Sequence, residues 1–250
     1  MSETFTGTHG SNKIGARRAG RYGIDAPLIP LMGVLAIVGN LVSALVTHTS
    51  GPLLAAVVMA PVVASYLYTT LRGKFVIWFR ILAGLGLHGD EKIIDLGCGR
   101  GAILCMAAAQ VPAGKLVGVD IWSVSDQSGN GPDMTRRNAA AEGVADRVDL
   151  HTADMRRLPF ADGSFDLVVS NMAIHNIGSA AGRDQAIDEA LRVLRPGGRL
   201  VIADILRVAQ YRKRLVASGA RNVVQANLGW RMWWGGPWLS TSLITASRPE

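Results

Sequence analysis

The sequence predicts an α/β fold. A seven-stranded, mostly parallel sheet carries an antiparallel pair at its C-terminal edge and is preceded by two transmembrane helices. Three observations lead there. Residues 26–71 contain no Asp, Glu, Lys or Arg. From Lys92 onward, short apolar runs alternate with segments of helical periodicity. Between the first run and the first helical segment lies IIDLGCGRG, residues 93–101, with glycines at alternate positions and Asp95 just ahead of them.

The apolar third comes first in the chain. Residues 27–46 are long enough to cross a hydrocarbon core of about 30 Å as a helix. A polar break at His48, Thr49, Ser50 and Gly51 precedes a shorter apolar stretch, 52–68, in which Pro61 is expected to introduce a kink. Basic residues flank the pair on its outer sides: Lys13, Arg17, Arg18 and Arg21 before it, Arg72, Lys74 and Arg80 after it. The turn between has none, so both ends are expected in the cytoplasm and the turn outside. The expected location is therefore the cytoplasmic (inner) membrane, crossed twice, with the bilayer as a partner. Gly33, Gly39, Ser43, Ala55 and Ala56 suit close helix packing. Asn40 is expected to bond across the hairpin or line a substrate path. Phe75, Trp78, Phe79 and Leu82 recur at helical spacing and read as an amphipathic helix at headgroup level or packed on the following domain. The resulting division is 1–25 as a disordered basic N-terminus, 26–71 as the hairpin, 72–90 as a juxtamembrane linker and 91–250 as the α/β domain.

Composition narrows the function classes. The chain of 250 residues has a net charge of +7 and two cysteines, Cys98 and Cys105, and its mean hydropathy is +0.24. Two thiols without a CxxC pair or a histidine cluster make neither a disulfide framework nor a metal site. The basic surplus admits nucleic acid as a partner, but much of it flanks the hairpin, where topology accounts for it, and no nucleic acid is expected.

In the α/β domain, strands are predicted at 93–96, 116–119, 148–151, 167–170 and 200–203, with helices at 102–110, 132–142, 183–194 and 207–218. Regular alternation implies a parallel sheet covered on both faces. Segments 222–226 and 239–247 follow with no helix between them and read as the antiparallel pair. Arg195-Pro196-Gly197-Gly198 reads as a turn.

A glycine loop between strand and helix lets the backbone approach a ligand at a helix N-terminus. Gly97-x-Gly99-x-x-Ala102, with Asp120 beyond, also satisfies a dinucleotide fingerprint. Asp95 separates the two readings, because a carboxylate beside the loop repels a pyrophosphate and attracts an ammonium. IIDLGCGRG and GVDIW (118–122) resemble the first two motifs of the class I S-adenosylmethionine-dependent methyltransferases. HTADMRRLPFADGSFDLVVSNMAIHNI (151–177) resembles the corresponding region of the type 11 and ubiquinone-biosynthesis branches, and LRVLRPGGRLVIADI (191–205) matches the element leading into the fifth strand. The resemblance implies a Rossmann-like fold over about 89–249 and S-adenosyl-L-methionine as cofactor. It implies that Asp95, Gly97, Gly99 and Gly101 form the cofactor loop, that Asp120 holds the ribose and that Ile121 packs on the adenosine. It implies that Asp154 receives the adenine amino group beside Met155, and that Asn171 belongs to the site.

Methyl transfer from a sulfonium needs alignment, and a base only where the acceptor must lose a proton. His175, after the fourth strand, is the candidate base. The tail segment GWRMWWGGPWL places Trp230, Trp233, Trp234 and Trp238 close together, as expected at a bilayer interface, over a hydrophobic substrate or in an edge-hairpin core. The expected acceptor is a hydrophobic small molecule or lipid in or beside the membrane. A non-catalytic cofactor-binding scaffold and a nucleic-acid methyltransferase are the alternatives.

Overall fold

The computed structural model describes residues 18–123 and 129–250. Two long helices come first, α1 (Leu28–Thr47) and α2 (Ser50–Tyr68). They pack on each other closely enough that a Cβ at Gly33 would lie 2.6 Å from Val63 Cγ2, the small-residue contact expected of paired apolar helices. Gly39 has no such neighbour. Asn40 corrects its expectation: its amide donates to Ala36 O of its own helix at 2.8 Å, so it bonds along α1 and not across the hairpin. Both helices are long and apolar enough to cross a membrane. Pro61 lies within α2 without ending it.

The linker continues the second helix. A π-helical turn, Thr69–Gly73, joins α2 to α3 (Lys74–Gly84), giving one helical run over Ser50–Gly84. Phe75, Trp78 and Leu82 are buried, and Trp78 and Leu82 join the core cluster that includes Ile93, Leu104 and Ala108. Their helical spacing thus serves packing on the α/β domain, and only Phe79 of the four is exposed.

Seven strands form one sheet: β1 (Lys92–Leu96), β2 (Lys115–Asp120), β3 (Val148–Thr152), β4 (Phe165–Asn171), β5 (Leu194–Asp204), β6 (Arg221–Asn227) and β7 (Ser242–Ser247). Their order is β3-β2-β1-β4-β5-β7-β6, parallel except that β7 runs antiparallel to both β5 and β6. The helices between them are α4 (Ala102–Gln110), α5 (Pro132–Ala141), α6 (Ala180–Val193) and α7 (Val208–Ala217). Ser179 caps α6 by accepting from Gly182 N at 3.0 Å. The predicted turn at Arg195–Gly198 is instead a bulge within β5, where Phe165 pairs with Leu194 and Leu167 with Arg199. Apolar side chains of β1, β4 and β5 face helices on both sides, hence the continuous Ile, Leu and Val runs that announced a parallel sheet.

Residues 18–25, expected to be disordered, form a strap across the domain. Gly20 N and Tyr22 OH donate to Glu142 Oε1 (2.9 and 3.0 Å), and Arg21 N donates to Asn138 Oδ1 at 2.8 Å. Residues 1–17, with Lys13 and Arg17, lie outside the described residues. At the strap's end Asp25 pairs with Lys74 Nζ (2.6 Å), accepts from Thr70 Oγ1 (2.8 Å) and offers its carbonyl to Tyr66 OH (2.9 Å). Lys74 is buried, and the Thr70 hydroxyl on the Asp25 carboxylate helps to offset the desolvation of this ion pair.

The tryptophan segment clamps the same junction. Trp234 is buried, edge-on to Tyr66 with centroids 5.3 Å apart, and bonds Thr241 through Nε1 at 3.0 Å. Trp233 O accepts from Ser65 Oγ and Thr69 Oγ1 (3.2 and 2.6 Å). Trp230 stacks on Tyr68 at 5.2 Å. The Trp234 ring is spent on contact with α2 and is not offered to solvent or lipid; Trp230 and Trp238 are the exposed rings.

Candidate active site

The strand order turns in opposite directions on the two sides of β1, with β2 on one side and β4 on the other. In open α/β sheets the ligand crevice lies at the carboxyl ends of the strands at such a switch point. A cavity of about 740 Å³ opens there. Its walls include Asp95, Gly97, Gly99, Asp120, Ile121, Asp154, Met155, Asn171 and His175. Gly101, the remaining predicted residue, stands behind the wall as the N-cap of α4 with φ +79°.

The loop's shape follows from its glycines. Gly97 N and Cys98 N donate to Val119 O (2.8 and 3.2 Å), which tucks the loop onto β2. Gly97 has φ +73°, and a Cβ there would lie 2.2 Å from Ala173 Cβ, so both the conformation and the space require glycine. Asp120 Oδ2 accepts from Gly99 N at 2.8 Å and Oδ1 from Trp122 N at 2.6 Å, which fixes the carboxylate at the end of β2.

Asp95 is the electrostatic anomaly. It is 1% exposed, and among the described residues neither carboxylate oxygen has a hydrogen-bond partner of good geometry, the Leu104 amide being only a weak neighbour. Burial, reinforced by the Asp120 charge, pushes its pKa up to about 8, with the Leu104 amide offsetting only part of the effect. An unpartnered buried carboxylate is costly, and a cation delivered by a ligand removes that cost. S-adenosylmethionine carries an ammonium and no phosphate, and the residues present fit it. The proton on Asp95 must leave for that pairing to form. Cofactor affinity is therefore expected to fall as pH is lowered below about 8, by up to roughly tenfold per pH unit for one coupled proton. Calorimetry in buffers of different ionisation enthalpy measures the released proton, and Asp95→Asn is expected to abolish the pH slope. A flat profile in the unaltered chain would dissociate Asp95 from the ammonium.

The other predicted residues are each tied to a neighbour. Asp154 accepts from Arg156 Nε (2.8 Å to Oδ2), Nη2 (2.5 Å) and the Arg156 amide (2.8 Å). The guanidinium holds its carboxyl below the usual range, and any adenine contact shares that carboxylate with Arg156. Ile121 is exposed. Asn171 Oδ1 accepts from Trp78 Nε1 at 2.8 Å, so helix α3 positions the end of β4.

His175 has a partner that the sequence reading missed. Asp204, fully buried at the end of β5, lies 2.5 Å from His175 Nδ1 and also accepts from His175 N (3.1 Å), Ile205 N (2.8 Å) and Tyr211 OH (3.2 Å). Burial and the Asp204 charge raise the pKa of Tyr211, so its hydroxyl stays a donor. An ionised carboxylate only accepts, which assigns the histidine proton to Nδ1 and leaves Nε2 as the basic nitrogen. The available signal was an acid closing the VIADI strand beside β4.

Comparisons with known proteins agree with this geometry. Residues 94–202 match the family model described as a methyltransferase domain. The chain is 38% identical over 122 residues to the methyltransferase GfsG of Streptomyces halstedii, covering 49% of this chain and 40% of that one. It is 34% identical over 131 residues to a demethylmenaquinone methyltransferase of Symbiobacterium thermophilum, covering 52% of this chain and 49% of the relative. The chain thus spans about half the length, or less, of these curated relatives. In fold it is similar to a geranyl diphosphate methyltransferase solved with S-adenosylmethionine, with a TM-score of 0.56 at 18% identity over 71% of this chain and 86% of the other. Glycine loop, buried Asp95, switch-point crevice and family match agree: residues 94–202 carry a methyltransferase domain, of the kind that takes S-adenosylmethionine as its cofactor.

Proposed function

We propose that the chain is a membrane-held methyltransferase that acts by in-line transfer on a hydrophobic small-molecule or lipid acceptor. One observation carries this reading: the cavity that contains Asp95 and His175 is also walled by Ala26 and Ile29 at the start of α1, by Tyr66 of α2 and by Trp234. The reaction space therefore reaches the base of the apolar hairpin. The hairpin itself favours a lipid setting, since Leu28, Met32, Leu35, Leu45 and Val46 of α1 are all exposed, an arrangement costly in water and ordinary in hydrocarbon.

Bound S-adenosylmethionine supplies an already activated methyl group. Asp95 pairs the ammonium, Asp120 takes the ribose hydroxyls, and Gly97 and Gly99 let the backbone close on the ligand. His175, held by Asp204, accepts the proton of a hydroxyl or phenol acceptor at Nε2. Tyr66, Ile29 and Trp234 exclude water and supply apolar contact for the rest of the acceptor.

The test is incubation of the purified chain with labelled S-adenosylmethionine and fractionated membrane lipids. Label is expected in an organic-soluble product, and label only in nucleic acid or protein would overturn the assignment. Leu35→Arg places a charge in the middle of α1, at an insertion cost of about 2.5–3.5 kcal/mol. It is expected to reduce turnover on a bilayer-embedded acceptor while sparing a short-chain soluble analogue. Equal loss on both would mean that the hairpin supports the pocket alone. Carbonate extraction is expected to leave the unaltered chain in the pellet.

A further inference from the structure

A second cavity, of about 610 Å³, lies on the other face of α3, away from the site above. Phe75, Leu82 and Cys105, all buried, form its floor, and the exposed Phe79 and Leu71 extend its apolar wall outward. Two arginines, Arg18 and Arg72, border it. Arg18 donates to Leu71 O at 2.8 Å, and its guanidinium carbon stands 3.5 Å from the Phe75 ring centroid. Burial and the proximity of Arg72 both lower the pKa of Arg18, so the two cations repel each other in partial desolvation. Glu142 also borders the cavity; its charge offsets part of the effect on Arg18, while its Oε1 accepts from Gly20 N and Tyr22 OH.

The location adds a third constraint. Arg72 directly follows residues 26–71, the stretch without charged residues, so a membrane-inserted hairpin puts this guanidinium at headgroup depth. A cationic pair at that depth above a groove of aromatic and aliphatic side chains matches an anionic amphiphile in both charge and shape. Basic residues on the surface of a helix are common, but here one is stacked on a ring and shares a cavity with the other.

We propose that this groove holds one anionic lipid, its acyl chain over Phe75, Phe79 and Leu82 and its phosphate against Arg18 and Arg72. The proposal rests on the hairpin reading for its source of lipid. Occupancy would hold the strap 18–25 against α3 and α5, and that strap ends at Asp25 and Ala26 in the wall of the reaction cavity.

The test uses the full chain in detergent, titrated with phosphatidylglycerol or phosphatidylcholine and read by native mass spectrometry. Saturable uptake of one phosphatidylglycerol per chain is expected, with much weaker phosphatidylcholine uptake. The double variant Arg18→Gln, Arg72→Gln is expected to bind phosphatidylglycerol roughly thirtyfold more weakly, from about 1 kcal/mol per basic residue. Val76→Trp, which fills the groove without altering charge, is expected to lower uptake as well. Retained S-adenosylmethionine binding certifies that both variants are folded. Equal uptake of the two lipids, or unchanged phosphatidylglycerol binding in the double variant, overturns the proposal. A wild-type chain that washes off in carbonate yet binds phosphatidylglycerol through these arginines would overturn the spanning hairpin and uphold this site.

Discussion

Replacing His175 by Ala is expected to lower turnover by about 10²- to 10⁴-fold, the usual contribution of a positioned general base, with cofactor affinity nearly unchanged. The expectation follows from the 2.5 Å contact between His175 Nδ1 and Asp204 in the same cavity as Asp95. Asp204→Asn keeps the shape of the partner but offers an amide nitrogen that can present a donor to Nδ1. That favours the tautomer with its proton on Nε2, where the base must be free, so a comparable loss is expected. The two residues act as one unit, and the double variant should be little worse than His175→Ala alone. Additive losses in single-turnover assays would show that they work separately. An acceptor already ionised at assay pH should escape the loss, which makes an acceptor series of graded acidity the decisive measurement.

Gly97→Val is expected to weaken S-adenosylmethionine binding by on the order of a hundredfold, since a β-branched residue at positive φ and a blocked approach each cost about 1–3 kcal/mol. A Cβ at this position would meet Ala173 Cβ at 2.2 Å and Met155 Cε at 3.3 Å. Ala173 lies between Asn171 and His175 in the segment after β4, so the substitution pushes the loop and the segment that carries His175 apart. Calorimetric titration of a variant that retains its circular dichroism would measure the effect. Unchanged affinity would place the cofactor elsewhere.

Much of this molecule was legible in one dimension because its signals are local. A charge-free stretch, strand-helix alternation and a glycine loop each depend on neighbours a few residues apart. They predicted α1, α2, the parallel strands β1 to β4 and the residues of the loop to within a few positions, and the second half of β5, which begins at Leu194 and not at Leu200. They also ordered the last two strands as an antiparallel pair, though not that β7 inserts between β5 and β6. The RPGG segment misled because proline and glycine favour turns, while Leu194 before it and Arg199 after it both pair with β4, so it is carried inside β5 as an irregularity, tied to Arg248 through Gly197 and Gly198.

By itself, the sequence determined the α/β fold class and the cofactor, and it named Asp95, Gly97, Gly99 and Asp120, which the structure brings to one crevice, since backbone conformation and charge type are properties of short motifs. Only the tertiary structure decided that Asp204 orients His175, 29 residues away in sequence, and that Trp78 holds Asn171 across 93 residues. It alone decided that the strap, the π-helical turn and the tryptophan segment join the apolar hairpin to the domain and to the cavity that holds Asp95 and His175. The physical reason is that such contacts are made by buried polar and aromatic groups whose partners lie far along the chain. A polar side chain's need for a partner is visible in sequence, but which partner satisfies it is set by the packing of the sheet and its helices.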